Sequence, residues 1–535
     1  MAPPPSKERA TGAPAGASIT RRTFLRGLVG FAGAAALEPW LLGARVWAAD
    51  GGNVLSPEAP PGEGSAGAEE KAAGALWNEE LVTVGADRMA VSWVTDAPGE
   101  TALWLGERPE EMRRYAWGDR TRHHLAEVEG LAPDTRYVYR VETDGTVGPL
   151  NSFRTLPKPP GTRRLRLGWI ADSHLAAGSG AGDLNQRYLG KLTDAAPTLL
   201  ERALDDLMRK GVDAIIHAGD LTDTAHPDEY RAFQTIVAPY AARVPFAAVP
   251  GNHDKYRRKT GGIGEAGFRE AIGDTLPRLL DLGAATVILL DSARPDDDWG
   301  WIPSASLAWL NRTLNETAGR PTFIVLHHPA NGMDLWFGTT NFFALQAVIA
   351  KHPHVVGVLS GHMHRNFISL ARHGDGTLPY IELPATVQFP NGYGLIDLYD
   401  GGYVYTSHKI SAIDLSERSR EAVLKGLNDA YVLYTLGGPG DRNLSYDAGR
   451  RTAVRQSGFA VVAVVELTRL FTLLKERIGA AFSVAAAEAA NLRRLVFGRF
   501  ATREEAERRR AELAAVLPFS LAVKEETGGS LPRSL

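Results

Sequence analysis

The chain has 535 residues, long enough for three or more domains, with 44% hydrophobic and 23% charged residues, the balance of a soluble globular protein. It contains no cysteine, which excludes disulfides and thiolate metal ligands and is compatible with an oxidising compartment. A formal net charge of −3 argues against binding a nucleic-acid duplex through a broad basic surface.

Near the start, Thr20-Arg21-Arg22-Thr23-Phe24-Leu25-Arg26 resembles the twin-arginine export signal. A modestly apolar stretch, Gly27 to Leu42, follows, and Val46-Trp47-Ala48 offers a small-residue cleavage site. The alternative is a membrane-anchoring helix, but the apolar stretch is shorter than a bilayer requires and contains Glu38-Pro39. Residues 1–48 are therefore expected to be a signal peptide for the twin-arginine export machinery, making the mature protein periplasmic or secreted. Its removal takes away six basic and two acidic residues and moves the net charge from −3 to −7. Residues 49–75, rich in Gly, Ala, Pro and Glu, read as a flexible linker.

From residue 76 to 157 the pattern alternates with period two, as in Met89, Val91, Trp93 and again in Tyr137, Tyr139, Val141. Short alternating strands broken by Gly, Pro and Asp predict a β-sandwich. The run Leu131-Ala132-Pro133-Asp134-Thr135-Arg136-Tyr137 resembles the fibronectin type III corner, whose Tyr hydrogen-bonds at a strand crossover. Such a module precedes the catalytic domain in purple-acid-phosphatase-like proteins, and a structural or orienting role is expected here.

Five short blocks then follow: Asp172-Ser173-His174, Gly219-Asp220-Leu221-Thr222-Asp223, Gly251-Asn252-His253-Asp254, His327-His328-Pro329 and Gly361-His362-Met363-His364. Each carries carboxylate, imidazole or amide groups that bind divalent metals. Each also follows an apolar run: Leu165 to Ile170, Ala214 to Ile216, Pro245 to Val249, Thr322 to Leu326 and Val355 to Leu359. Such runs predict buried strands of an α/β sheet, with all five blocks meeting on one rim at the strand ends. Taken singly, Gly-Asn-His-Asp is a common turn and His-x-His a common surface pair. Five in succession at strand ends point instead to a two-metal centre.

In order and spacing the blocks resemble the calcineurin-like metallophosphoesterase family over residues 163–415. The resemblance implies that Asp172, His174, Asp220 and His364 hold one divalent metal, and that Asp220, Asn252, His327 and His362 hold the other, with Asp220 bridging. His327 is preferred to His328 because the family's ligand directly follows the strand. It further implies hydrolysis of a phosphate ester by attack of a metal-bound hydroxide, with His253 serving the leaving group and Asp223 orienting His253. Two metals can clamp the attacking and leaving oxygens of an in-line displacement, and Mn, Fe and Zn all accept these ligands. In purple acid phosphatases the position three after the bridging Asp is an iron-binding Tyr; here it is Asp223, so an iron–tyrosinate centre is not expected. The segment Gly219 to Asp254 looks more like bacterial cyclic-nucleotide phosphodiesterases, which favours phosphodiesters over phosphomonoesters. Substrate choice is expected to lie with Lys255 to Gly267 and Asn331 to Phe343.

Residues 416–455 read as a helical linker. From 456 to 526 the predicted order is strand, helix, strand, strand, helix, strand, with Thr502 as the N-cap of the second helix. The stretch Val496-Phe497-Gly498-Arg499-Phe500-Ala501-Thr502 resembles the SPOR domain, an envelope module that binds peptidoglycan; an accessory α+β domain is the alternative. The expected fold is multidomain: an N-terminal β-sandwich, a central α/β metallophosphoesterase sandwich and a small C-terminal α+β domain. The expected function is exported, binuclear phosphoester hydrolysis. The rival reading is a non-catalytic envelope-binding scaffold on the same fold, which has no reason to retain seven competent ligands.

Overall fold

The computed structural model describes residues 76–176, 189–273, 276–334, 337–426, 429–466, 483–484, 492–514 and 522–526. The expected signal peptide, the linker and the helix read at 468–479 lie outside them.

The N-terminal strands are β1 (Leu76–Val84), β2 (Arg88–Gly106), β3 (Arg113–Glu129), β4 (Arg136–Thr143), β5 (Thr146–Val147) and β6 (Asn151–Arg154). Alternate residues along a strand point to one face, and here that face is apolar. Met89, Val91 and Trp93 of β2 share a buried core with Tyr139 and Val141 of β4 and Phe153 of β6. Tyr137 ties a turn to this core: its hydroxyl oxygen accepts the Ala132 N–H at 2.9 Å.

The middle of the chain supplies β7 (Arg163–Ile170), β8 (Ala214–His217), β9 (Phe246–Ala248), β10 (Arg278–Asp281), β11 (Thr286–Leu289), β12 (Thr322–Val325), β13 (Val355–Ser360), β14 (Phe367–His373), β15 (Gly376–Glu382), β16 (Gly392–Tyr399), β17 (Gly402–Lys409), β18 (Asn443–Asp447) and β19 (Thr452–Arg455). They form two sheets. One runs β19-β18-β17-β16-β7-β8-β9, the other β10-β11-β12-β13-β15-β14. Trp169, Ile216 and Val249 of the first meet Leu289, Phe323 and Leu359 of the second in one buried layer. Each such side chain contributes about 1.5–3 kcal/mol on burial.

The outer faces are covered by helices. On the first sheet, α1 (Ala196–Arg209) and α2 (Pro227–Ala241) pack Leu199, Leu204 and Phe233 against Ile170 and Ile215, with Phe268 of α3 (Glu265–Ile272) joining the cluster. On the second, α4 (Ser304–Glu316) and α5 (Phe342–Ile349) pack Leu310, Leu314 and Leu345 against Ile324 and Val358. All five apolar runs are strands, but they do not share a sheet: β7, β8 and β9 lie in the first, β12 and β13 in the second. A run buried on both faces shows that a strand is interior without showing which of two stacked sheets it joins.

Residues 416–455, expected as a helical linker, are only half helical. After α6 (Ile413–Gly426), α7 (Asp429–Leu436) and α8 (Pro439–Arg442), β18 extends the first sheet by pairing along β17, and β19 pairs along β18. Leu444 and Tyr446 of β18 point into the layer between the sheets, and this burial fixes the segment as strand.

The last elements are β20 (Phe459–Glu466), β21 (Ser483–Val484), β22 (Leu492–Phe500), α9 (Arg503–Ala514) and β23 (Ala522–Glu525). Thr502 Oγ1 accepts the Glu505 N–H at 3.2 Å, an N-cap contact at the start of α9. Through the pair Trp77–Val484 these strands continue the sheet of β1, so N-terminal and C-terminal strands form one ten-stranded sheet. Among the described residues no helix is long and apolar enough to cross a membrane.

Candidate metal centre

Ladder bonds at the strand ends bring the blocks together. The Asp172 N–H donates to the Gly219 carbonyl at 2.9 Å, and the His174 N–H to the Asp220 carbonyl at 3.0 Å. Asp254, buried below them, accepts the N–H groups of Leu221, Thr222 and Gly251 at 3.1, 3.0 and 2.9 Å. Glycine is required where the loops touch: a Cβ on Gly251 would lie 2.0 Å from Asp220 Oδ1, and one on Gly361 2.5 Å from Asp172 Oδ2. Five candidate ligands, Asp172, His174, Asp220, His362 and His364, are left-handed, with φ of 54, 42, 55, 71 and 51°. Such conformations cost of order 1–3 kcal/mol each in non-glycine residues and persist only where the surroundings impose them.

Asp172, His174 and His364 form one group, and Asp172, Asp220 and His327 another. Asp220 Oδ2 lies 3.4 Å from His174 Nε2 and 3.3 Å from His327 Nε2, so one carboxylate oxygen faces both halves of the site. The other oxygen accepts the His253 N–H at 2.9 Å. His364 Nε2 lies 3.4 Å from Asp172 Oδ1 and 3.1 Å from His174 Nε2. His327 Nε2 stands 3.1 Å from Asn252 Oδ1 and 3.2 Å from His362 Nδ1. The seven residues read from the sequence as ligands, Asp172, His174, Asp220, Asn252, His327, His362 and His364, are thus in one place.

Outer partners orient them. His327 Nδ1–H donates to the Ala218 carbonyl at 2.8 Å, and His364 Nδ1–H to Gln388 Oε1 at 2.5 Å. In the neutral rings this leaves each Nε2 lone pair turned inward, the tautomer of a metal-ligating histidine. Asn252 Nδ2 donates to the Tyr256 hydroxyl at 2.7 Å, and that hydroxyl bonds in turn to Asp298, which directs Asn252 Oδ1 to the site. Lone pairs and carboxylate oxygens packed at 3.1–3.4 Å repel one another unless positive charge lies among them. The donor chemistry therefore fits two divalent cations. Burial lowers His174 and His362 to about 3, with Lys191 adding to the effect on His174 and His327 to that on His362. Burial also opposes charge on His327, but Asp220 and Asp172 outweigh it and raise its pKa to about 9. The carboxylates that favour a proton on Nε2 are the same charges that would favour a cation there in its place.

His328 is also present: its ring is 4.6 Å from that of His362, and its buried Nε2 has no hydrogen-bond partner among the described residues. His327 nevertheless borders donors from both groups, whereas His328 groups only with His327 and His362.

Asp223 differs from expectation. Its carboxylate accepts from Lys191 Nζ at 2.7 Å and lies 3.2 Å from His174 Nδ1, but 3.7 Å from His253 Nδ1. His253 Nδ1–H donates instead to the Asp223 backbone carbonyl at 2.6 Å. The carboxylate is drawn to the buried ammonium, so Asp223 orients His174 with its side chain and His253 with its main chain. Lys191 and Gln388 lie in no motif and carried no signal in the sequence. Asp254 and Tyr256 were within reach: one ends the Gly-Asn-His-Asp block and the other lies two residues beyond it.

Residues 165–366 match the family model described as calcineurin-like phosphoesterase. The 3',5'-cyclic adenosine monophosphate phosphodiesterase CpdA of Pseudomonas aeruginosa is 30% identical over 267 residues, 46% of this chain and 89% of that protein. The glycerophosphodiester phosphodiesterase GpdQ of Enterobacter lignolyticus is 26% identical over 194 residues, 34% of this chain and 64% of that protein. A probable cyclic nucleotide phosphodiesterase of Rhodococcus erythropolis is 34% identical over 167 residues, 30% of this chain and half of that protein.

Proposed function

The chain belongs to the calcineurin-like phosphoesterase family, and from that premise we propose that it is an exported two-metal hydrolase of phosphate esters that favours phosphodiesters. The observation that carries this reading is the inward set of imidazole lone pairs and carboxylate oxygens around Asp220. When bound, two divalent cations acidify water and neutralise charge on the phosphate. Asp172, His174, Asp220 and His364 would hold one, and Asp220, Asn252, His327 and His362 the other.

The chain's own residues supply the rest. His253 has 23% of its side chain exposed at the centre, and its Nδ1–H is fixed on the Asp223 carbonyl. In its imidazolium form the ring carries a second proton, on Nε2, and that is the proton it can pass to the leaving oxygen, which leaves the ring neutral with Nδ1–H still on the Asp223 carbonyl. A diester needs this more than a monoester with a good leaving group. Asp223 in place of an iron-binding Tyr, and the names of the relatives above, support the diester reading.

The test is a comparison of bis(p-nitrophenyl) phosphate with p-nitrophenyl phosphate on chelator-stripped, Mn²⁺-reloaded protein. A kcat/KM for the monoester far above that for the diester would overturn the preference. Failure on both would overturn the hydrolase.

The flanking parts belong to the same proposal. The Tyr137–Ala132 contact supports reading the N-terminal strands as a fibronectin type III-like module. Arg21 and Arg22 support export, and the 496–502 stretch supports peptidoglycan binding by the C-terminal segment. Binding of the protein to isolated peptidoglycan sacculi, and its loss on removal of residues 456–526, tests the last point.

A further inference from the structure

Four of the large apolar side chains that stay exposed fall between residues 301 and 343: Trp301, Met333, Phe337 and Phe343. Phe337 is the one whose ring reaches a candidate ligand, 6.4 Å from the ring of His362. Trp299 packs beside it at 5.4 Å and 42°. Phe337 is held at φ 60°, unusual for a bulky residue, yet 43% of it faces solvent. Gly338, next to it, has no room for a Cβ, which would lie 2.4 Å from the Asp334 carbonyl. The Thr339 N–H donates to the Pro329 carbonyl at 2.8 Å, and the Gly300 N–H to the Gly338 carbonyl at 3.1 Å. The backbone around Phe337 is thus held by its neighbours, with Phe337 left-handed, although the residue is not fully buried. Strain kept at an exposed aromatic beside a ligand cluster points to contact with a ligand.

On the His253 side of the centre the aromatic residue is engaged otherwise: Lys259 Nζ lies 4.6 Å over the Tyr256 ring, and the Tyr256 hydroxyl is bonded to Asp298. We propose that Phe337, braced by Trp299, is a stacking platform for a planar heterocycle carried by the substrate, so that base-bearing phosphodiesters are the preferred class. This rests on the phosphodiesterase reading above. With the phosphate at the ligand cluster, an ester group extending past His362 meets the Phe337 ring. A purine gains stacking there, whereas a glycerol or choline group presents no π-face. The platform separates the two kinds of substrate named among the relatives.

The test compares 3',5'-cyclic adenosine monophosphate with glycerophosphocholine on Mn²⁺-loaded protein. The wild type is expected to favour the cyclic nucleotide. Phe337→Ala should raise its KM about tenfold, within the range for losing a stacked ring, and lower the kcat/KM ratio between the two esters to match. Because the loss is in binding, kcat should change by less than about twofold. Phe337→Tyr should restore the ratio and Phe337→Leu should not. A wild type that favours glycerophosphocholine, a ratio unmoved by Phe337→Ala, or rescue by Leu as good as by Tyr overturns the platform. If neither ester is cleaved, the p-nitrophenyl esters decide the hydrolase reading, and equilibrium dialysis of adenosine 5'-monophosphate decides the platform separately. About tenfold weaker binding by Phe337→Ala supports it, and equal binding overturns it.

Discussion

Lys191 Nζ donates to the Asp223 carboxylate at 2.7 Å, and both side chains are almost fully buried. The same carboxylate lies 3.2 Å from His174 Nδ1. One ion pair therefore supports a candidate metal ligand from behind.

Lys191→Met leaves Asp223 buried without its cation and should destabilise the fold by about 3–5 kcal/mol, the cost of breaking a buried pair. Thermal unfolding of the two proteins measures this. The double variant Lys191→Met/Asp223→Asn removes the stranded charge and should recover part of the loss; no recovery would mean that Lys191 acts through packing alone.

Asp220→Ala is expected to abolish hydrolysis and take metal content below about one ion per chain, because a single carboxylate oxygen faces both groups of donors. Elemental analysis of the purified variant is the check. Two retained ions with near-normal rates would place the shared ligand elsewhere.

His253→Ala should keep its metals and lose about 10²–10⁴ in kcat, the range for a positioned acid. The loss should shrink for p-nitrophenolate esters, whose leaving group needs little protonation. Loss of metal instead would make His253 a ligand.

Replacing Arg21 and Arg22 by Lys is expected to strand an uncleaved precursor in the cytoplasm. Fractionation and the molecular mass of the protein decide this, and normal export of the variant would point to another route.

Asp172, Asp220, Asn252, His327 and His362 could be located from the sequence because each follows an apolar run, and such a run is a local feature. The strand ends then deliver the side chains whatever else the chain does. What stayed hidden depends on distant partners. Nothing near Lys191 marks it as the partner of Asp223, and nothing in Val355 to Leu359 distinguishes one stacked sheet from the other. Asp223 shows the limit most clearly: its position three after Asp220 placed it at the centre, but the buried ammonium decides where its carboxylate points. The strands β18 and β19 were missed for a related reason, since β18 is made a strand by pairing with the distant β17, and β19 by pairing with β18.

The pairing of Trp77 with Val484 joins strands about 400 residues apart in the chain. A ribosome releases residue 77 long before residue 484 exists, so this join forms only after synthesis is nearly complete. Closing so long a loop is slow, and β1 keeps one edge unpaired in the meantime. During that interval the edge is open to other chains, and a variant that weakens β20–β22 should first show itself as aggregation of newly made protein.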